Sequence, residues 1–158
     1  CQKLVKEAFL DKALCAKYAL TSANSINIGR LLPQMTYYAF SSFKLFSQFQ
    51  TPINFVIPSG NMGNGMAAVW AKEMGLPIGE IHFACNANRA IFDFFQNKKF
   101  TARDSFKTLA NAMDVGNPSN MERLLDLEKR RPSVLGDLSS SWHFQLLLPP
   151  SILIRPEP

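Results

Sequence analysis

The glycine-rich stretch from Ser59 to Gly65 has the residue types of a loop that binds an anion. It follows an apolar run typical of a strand, Ile53 to Ile57, and precedes one typical of a helix, Met66 to Met74. The first amides of a helix have no partner within the helix and carry the positive end of its dipole, so proteins commonly hold phosphate groups there. The stretch therefore predicts a site for a phosphate-bearing ligand.

The spacing of the three glycines is G-x-x-G-x-G, which matches neither the dinucleotide-binding fingerprint nor the Walker loop. The stretch therefore does not predict a nucleotide-binding site. A tight turn between a strand and a helix, with no ligand at all, accounts for the pattern equally well.

A second polar group lies at the start of the next predicted helix upstream. Asn27, Arg30 and Gln34 share one narrow sector of this helix, opposite an apolar stripe, and Asn24 and Ser25 precede them. A hydroxyl, a carboxamide, a guanidinium and free amides are groups that bind a phosphate. A capped helix with a solvated polar face is favoured on the pattern alone, but two such groups also fit two phosphates in one site.

No catalytic residue and no metal site are predicted from the remaining polar residues. His82 alternates with apolar residues on a strand, and His143 lies in an atypical tail. Asp114 is a candidate buried carboxylate, although a lone aspartate is more often a cap or an ion-pair partner. Ser59 precedes a glycine, but its surroundings do not form the nucleophile elbow of a hydrolase.

Composition limits the class of protein. The chain has 158 residues, of which 47% are hydrophobic, enough for one compact domain with a core. The net charge of +5 is scattered, and its densest cluster, Lys129 to Arg131, has no interleaved aromatic residues, so no nucleic-acid partner is expected. Three cysteines without paired spacing fit a reducing, cytoplasmic compartment, and the absence of a run of about 20 apolar residues predicts no membrane span.

The pattern of elements predicts an α/β fold. The first helix is expected from Gln2 to Ala19, and the second from the polar stretch at residues 21–25, with Pro33 limiting or kinking it. A strand at Ile53 to Ile57, the helix after the glycine loop and a strand at Ile81 to Cys85 form a βαβ unit, which implies parallel strands.

Ligands of such sheets lie at the carboxyl ends of the strands. The glycine loop and the Asn86 to Asn88 turn, which opens a helix predicted from Ala87 to Phe95, both fall there. A further helix is expected from Ser119 to Leu127, with Ser119 and Glu122 in capping-box positions.

Four ordered motifs together closely resemble threonine synthase, over about residues 1–125. They are Asn24 to Gln34 with Tyr37 and Tyr38, Pro58 to Asn64, Ala71 to Pro77, and Ala112 to Val115 with Pro118 to Leu125.

The resemblance implies a pyridoxal-phosphate enzyme of the tryptophan synthase β-like fold, fold type II, a three-layer αβα architecture with a parallel sheet that is incomplete here. Such an enzyme converts O-phosphohomoserine and water into threonine and phosphate. The resemblance assigns the cofactor phosphate to Ser59, Gly60, Asn61, Met62, Gly63 and Asn64, and the substrate phosphate to Asn24, Ser25 and Arg30.

In this family the Schiff-base lysine lies upstream of the position that corresponds to Cys1. The chain is therefore expected to be a catalytically incomplete central fragment. Residues 1–137 are expected to form a partial enzyme domain and 138–158 an atypical tail. The alternative is a non-catalytic module that binds a phosphate ligand or a protein and derives from the same scaffold. The sequence predicts no oligomeric state.

Overall fold

The structure, a computed structural model, describes residues 2–132. The expected domain boundary near residue 137, the atypical tail and His143 lie outside this part of the chain. The elements in chain order are α1 (Gln2–Leu10), α2 (Lys12–Lys17), α3 (Ile28–Phe49), β1 (Ile53–Pro58), α4 (Gly63–Glu73), β2 (Ile78–Ala84), α5 (Ala90–Asn97), a 3-10 turn (Asn111–Met113) and α6 (Met121–Arg130).

The centre of the fold is a parallel pair of strands joined through a helix. β1 pairs with β2, with Val56 opposite His82 and Ile57 opposite Phe83, and α4 connects the two strands. The prediction of an α/β fold with parallel strands is thereby confirmed. The carboxyl ends of both strands lie at one edge, where the loop before α4 begins.

Small residues allow α4 to pack closely on the sheet and on α3. Ala67, Ala68 and Ala71 are fully buried. A β-carbon on Gly65 would come within 2.2 Å of the Phe83 ring, so only glycine permits this approach. The close packing fixes the first turn of α4 beside the carboxyl end of β1, where the candidate site lies.

The predicted single helix from Gln2 to Ala19 is wrong. The chain breaks at Asp11, whose carboxylate accepts hydrogen bonds from the amides of Ala13 and Leu14 and so caps α2. Aspartate is among the strongest capping residues, and here capping overrides the apolar periodicity.

Two predicted helix starts also differ from the structure. α3 begins only at Ile28, capped by Asn27, and continues through Pro33. α6 begins at Met121 without a side-chain cap, because the hydroxyl of Ser119 donates instead to Asn61. The predicted capping box is therefore wrong, and Ser119 belongs to the candidate site. Between residues 2 and 132, none of the helices combines the length and the apolar character that crossing a membrane requires.

Candidate phosphate-binding site

The loop between β1 and α4 carries a backbone conformation that is unusual for its sequence. Met62, directly before α4, is left-handed, with φ 61° and ψ 11°. This conformation costs a residue with a β-carbon roughly 1–2 kcal/mol. The Met62 side chain is 2% exposed in the core, and its burial offsets that cost and holds the turn in place.

The amides of this loop are the groups best suited to an anion. The N–H groups of residues 60–65 donate to no acceptor within the described range 2–132, and Gly60, Met62, Gly63 and Gly65 are buried. A buried amide without an acceptor costs about 1–3 kcal/mol, and such groups are rare in folded proteins. The loop therefore fits a phosphate group, whose oxygens accept hydrogen bonds from several amides at once.

Two of the glycines have a second role, which is close packing between segments. A β-carbon on Gly60 would meet the Cα of Met113 at 2.9 Å, and one on Gly63 would meet the Cβ of Ser25 at 3.2 Å. The loop is thus enclosed by the 3-10 turn on one side and by the turn before α3 on the other. The glycine spacing alone gave no indication of either neighbour.

Asn61 joins the loop to two other segments. Its Nδ2 donates to the Ser25 hydroxyl, and its Oδ1 accepts from the amide and the hydroxyl of Ser119, at 2.6 and 2.9 Å. Its backbone carbonyl accepts from Asn120 Nδ2 at 2.9 Å. The two polar groups predicted from the sequence, around Ser25 and around the glycine loop, are therefore brought together.

Asn64 is held by a pair of tyrosines from α3. Its Oδ1 accepts from the hydroxyls of both Tyr37 and Tyr38, the latter at 2.6 Å. Burial raises the pKa of Tyr38 above its ordinary value, so this phenol remains a protonated donor. The Ser59 hydroxyl donates to the carbonyl of Ile57. The side chains of Ser59, Asn61 and Asn64 thus form hydrogen bonds with other protein groups. The loop amides remain available to a ligand.

The turn before α3 contains the residues assigned to a second phosphate. The Ser25 hydroxyl donates to Asn24 Oδ1 at 3.1 Å, and Arg30 Nη1 donates to the carbonyl of Ala23. Asn27 caps α3, and Gln34 donates to the carbonyl of Arg30. Asn27 and Gln34 therefore serve the helix itself, whereas Ser25 also contacts the loop.

Asp114 is the centre of a network that sequence reasoning missed. Its Oδ1 accepts from Asn86 Nδ2, Asn88 Nδ2 and Thr108 Oγ1 at 2.7–3.0 Å, and its Oδ2 accepts from the Thr108 amide at 2.8 Å. The hydrogen bond from the Thr108 hydroxyl, foremost among these, lowers the pKa of Asp114. The network ties the turn after β2 to the 3-10 turn that packs on Gly60.

Other features of the surface lie apart from the loop. A groove of about 990 Å³ between α1, residues 20–28 and α6 shares Ser119 with the site but is not lined by residues 59–65. Among residues 2–132, no group of three or more histidine, cysteine, aspartate and glutamate side chains is placed to hold a metal.

The parallel α/β fold matches part of the fold of threonine synthase, which is fold type II of the pyridoxal-phosphate enzymes. The crystal structure of threonine synthase from Escherichia coli superposes with a TM-score of 0.75 at 40% identity, over 84% of this chain and 31% of that one. The X-ray structure of PLP-bound threonine synthase from Brucella melitensis gives a TM-score of 0.69 at 33% identity, over 89% and 30%.

Sequence comparison specifies the relationship further. Threonine synthase from Buchnera aphidicola subsp. Acyrthosiphon pisum (strain APS) is 43% identical over 132 residues, which are 83% of this chain and 30% of that protein. The chain is thus a homologue of threonine synthase and spans about 30% of the length of this relative. No model of a protein family matches the chain.

Proposed function

We propose that this chain forms the phosphate-binding part of a pyridoxal-phosphate-dependent threonine synthase, which converts O-phosphohomoserine and water into threonine and phosphate. The observation that carries the proposal is the set of loop amides at residues 60–65, four of them on buried residues, which have no acceptor within the described residues. The homologue from Brucella melitensis, solved with PLP, supports the choice of ligand.

The residues divide into two groups by their proposed roles. The amides of residues 60–65 bind the cofactor phosphate, while the side chains of Asn61 and Asn64 hold the loop in shape. Pyridoxal phosphate, when bound, withdraws electrons from the substrate carbon atoms. Across the loop, Ser25 and Asn24 bind the phosphate of the substrate.

Arg30 supplies the positive charge for that second phosphate. Its guanidinium can bind two phosphate oxygens through parallel hydrogen bonds and stabilises the dianion as it leaves. At present one of its nitrogens donates to the carbonyl of Ala23, on the same turn as Asn24 and Ser25. This hydrogen bond keeps one end of the guanidinium beside the turn that carries Asn24 and Ser25, which supports the proposed role.

Binding through the phosphate is tested by comparing pyridoxal phosphate with pyridoxal in equilibrium dialysis against the full chain. We expect retention of pyridoxal phosphate and little retention of pyridoxal. Asn64→Asp keeps the acceptor for both tyrosines but adds a negative charge beside the loop amides, so affinity should fall by at least about tenfold. Asn97→Asp, the same change at the far end of α5, is the matched control. Equal binding of both ligands would contradict the proposal.

Catalysis is tested separately, in a complete threonine synthase that carries this segment, by the release of inorganic phosphate from O-phosphohomoserine in the presence of pyridoxal phosphate. Release that is lost in Arg30→Ala supports threonine synthase activity. Phosphate-dependent binding of the cofactor without any release supports instead the non-catalytic module derived from the same scaffold. Because this chain spans about 30% of a threonine synthase, we propose the activity for the complete enzyme and phosphate binding for this segment.

A further inference from the structure

Three helices begin around a single side chain. Asn61 precedes α4 by two residues and contacts Ser25, which precedes α3, and Ser119, which precedes α6. Ser25 and the loop amides are the two proposed phosphate sites. The Asn61 carboxamide therefore forms a direct hydrogen-bonded connection between them.

A second connection closes this arrangement into a ring. Asn120 Nδ2 donates to the Asn61 carbonyl, and Arg123 Nη1 donates to Asn120 Oδ1 at 2.8 Å. The other terminal nitrogen of Arg123 donates at 2.8 Å to the carbonyl of Ile26, next to Ser25. Arg123 thus ties the start of α6 back to the turn before α3.

Both polar atoms of the Asn61 carboxamide take part in this ring. Its Oδ1 accepts two hydrogen bonds from Ser119, the usual capacity of a carbonyl oxygen, and its Nδ2 donates to Ser25. A phosphate requires donors, and the loop amides supply them. The carboxamide is therefore placed to fix the geometry of both sites.

We infer that Asn61 is a positioning residue which, supported by Asn120 and Arg123, sets Ser25 at a fixed place relative to the amides of residues 60–65. The inference rests on the proposed function of these two groups as the phosphate sites. It assigns the Asn61 side chain a positioning role, beside the cofactor-phosphate role proposed for the backbone amide of the same residue. It also gives Arg123 an effect on both ligands although Arg123 lies in neither site.

Arg123→Gln tests this role in the full chain, because it breaks the ring outside both sites. We expect the affinities for pyridoxal phosphate and for O-phosphohomoserine to fall together, each by about tenfold, as for the loss of a hydrogen bond to a charged group. Asn61→Ala should reproduce the paired loss. Arg131→Gln, which breaks an ion pair with Glu73 away from the ring, should leave both affinities unchanged. Loss of pyridoxal phosphate affinity alone in Asn61→Ala, with Arg123→Gln normal, would overturn the inference.

Hydrogen exchange provides a measurement that needs no ligand. The amides of Asn27, Met66 and Ser119 donate to Asn24, Met62 and Asn61, and so report on the three helix starts. In Arg123→Gln all three should exchange about tenfold faster while the amides of β1 and β2 keep their protection. Faster exchange at Ser119 alone, or equally in both strands, would refute the positioning role. If the unaltered chain binds neither ligand, the proposed function fails, and exchange still decides the role of Asn61.

Discussion

Gly60 packs directly against Met113, and a β-carbon on Gly60 would come within 2.9 Å of the Met113 Cα. The nearest atoms also include the Ala112 carbonyl oxygen at 3.2 Å, so backbone, which cannot rotate away, fills the space. The glycine loop and the 3-10 turn therefore form one packed unit. A substitution in either segment should therefore alter the packing of the other.

Gly60→Ala should destabilise the protein by about 1–3 kcal/mol, because it forces extra volume into a closed contact. Thermal or urea unfolding measures this loss, and pyridoxal phosphate affinity should fall with it. Gly29→Ala is the control, since its new β-carbon would meet only the side chain of Asn27, at 3.2 Å, and alanine favours a helix. A Gly60→Ala protein as stable as the original would show that the two segments separate easily.

Asp114→Asn should lower the melting temperature at pH 7, because an amide group would face donors that now bond to a carboxylate. The pKa of Asp114 is lowered in the folded state, so its stabilisation is present above the ordinary value of 3.8 and is lost as pH falls through the folded value. The difference in stability between the two proteins should therefore shrink below about pH 3.8. Asp104→Asn, on the exposed part of the same segment, should show neither effect.

Tyr38→Phe should reduce the free energy of unfolding by about 0.5–1.5 kcal/mol, since it removes one of two donors to Asn64. Burial raises the pKa of Tyr38, so its hydroxyl favours the folded state at neutral pH, and that advantage is lost as pH rises above the ordinary value of 10.0. As pH rises above 10, the free energy of unfolding should therefore fall less in the Tyr38→Phe variant than in the original protein. Tyr18→Phe, half exposed, is the control and should behave like the original protein.

Gln50→Gly should raise the free energy of unfolding by a few tenths to about 1 kcal/mol. Gln50 ends α3 in the left-handed conformation with φ 54°, which glycine adopts without strain, and its side chain is exposed. Gln48→Gly, inside α3, should lower the free energy of unfolding by up to about 1 kcal/mol. Chemical denaturation of the two variants tests whether Gln50 is a left-handed residue that ends α3. If both substitutions destabilise the protein, that assignment is contradicted.

The elements that position the site were predictable because their signals are local. The apolar run at Ile53, the glycine loop and the stop at Gly75, which has φ 88°, depend on neighbouring residues only. Their order also predicts parallel pairing. The break at Asp11 was equally local, but a polar residue on the exposed face of an amphipathic pattern does not distinguish a cap from a solvated side chain.

The contacts within the site were not predictable in the same way. Ser119 reaches Asn61 across 58 residues, and Asp114 reaches Asn86 across 28. Both contacts depend on the path of residues 98–118, which contain no long helix or strand and thus no periodicity to predict from. Ser119 followed by Glu122 matches a capping box locally, and only the tertiary contact with Asn61 gives the hydroxyl a different partner.

The meeting of α3, α4 and α6 around Asn61 determines how the site should respond to acidity. Each helix N-terminus acts as roughly half a positive charge, and this charge belongs to backbone dipoles, which do not ionise. The electrostatic attraction at the loop is therefore constant across the physiological pH range. A change in ligand affinity near pH 6 would arise from the second ionisation of the ligand's own phosphate, since a phosphate monoester loses its second proton with a pKa of about 6.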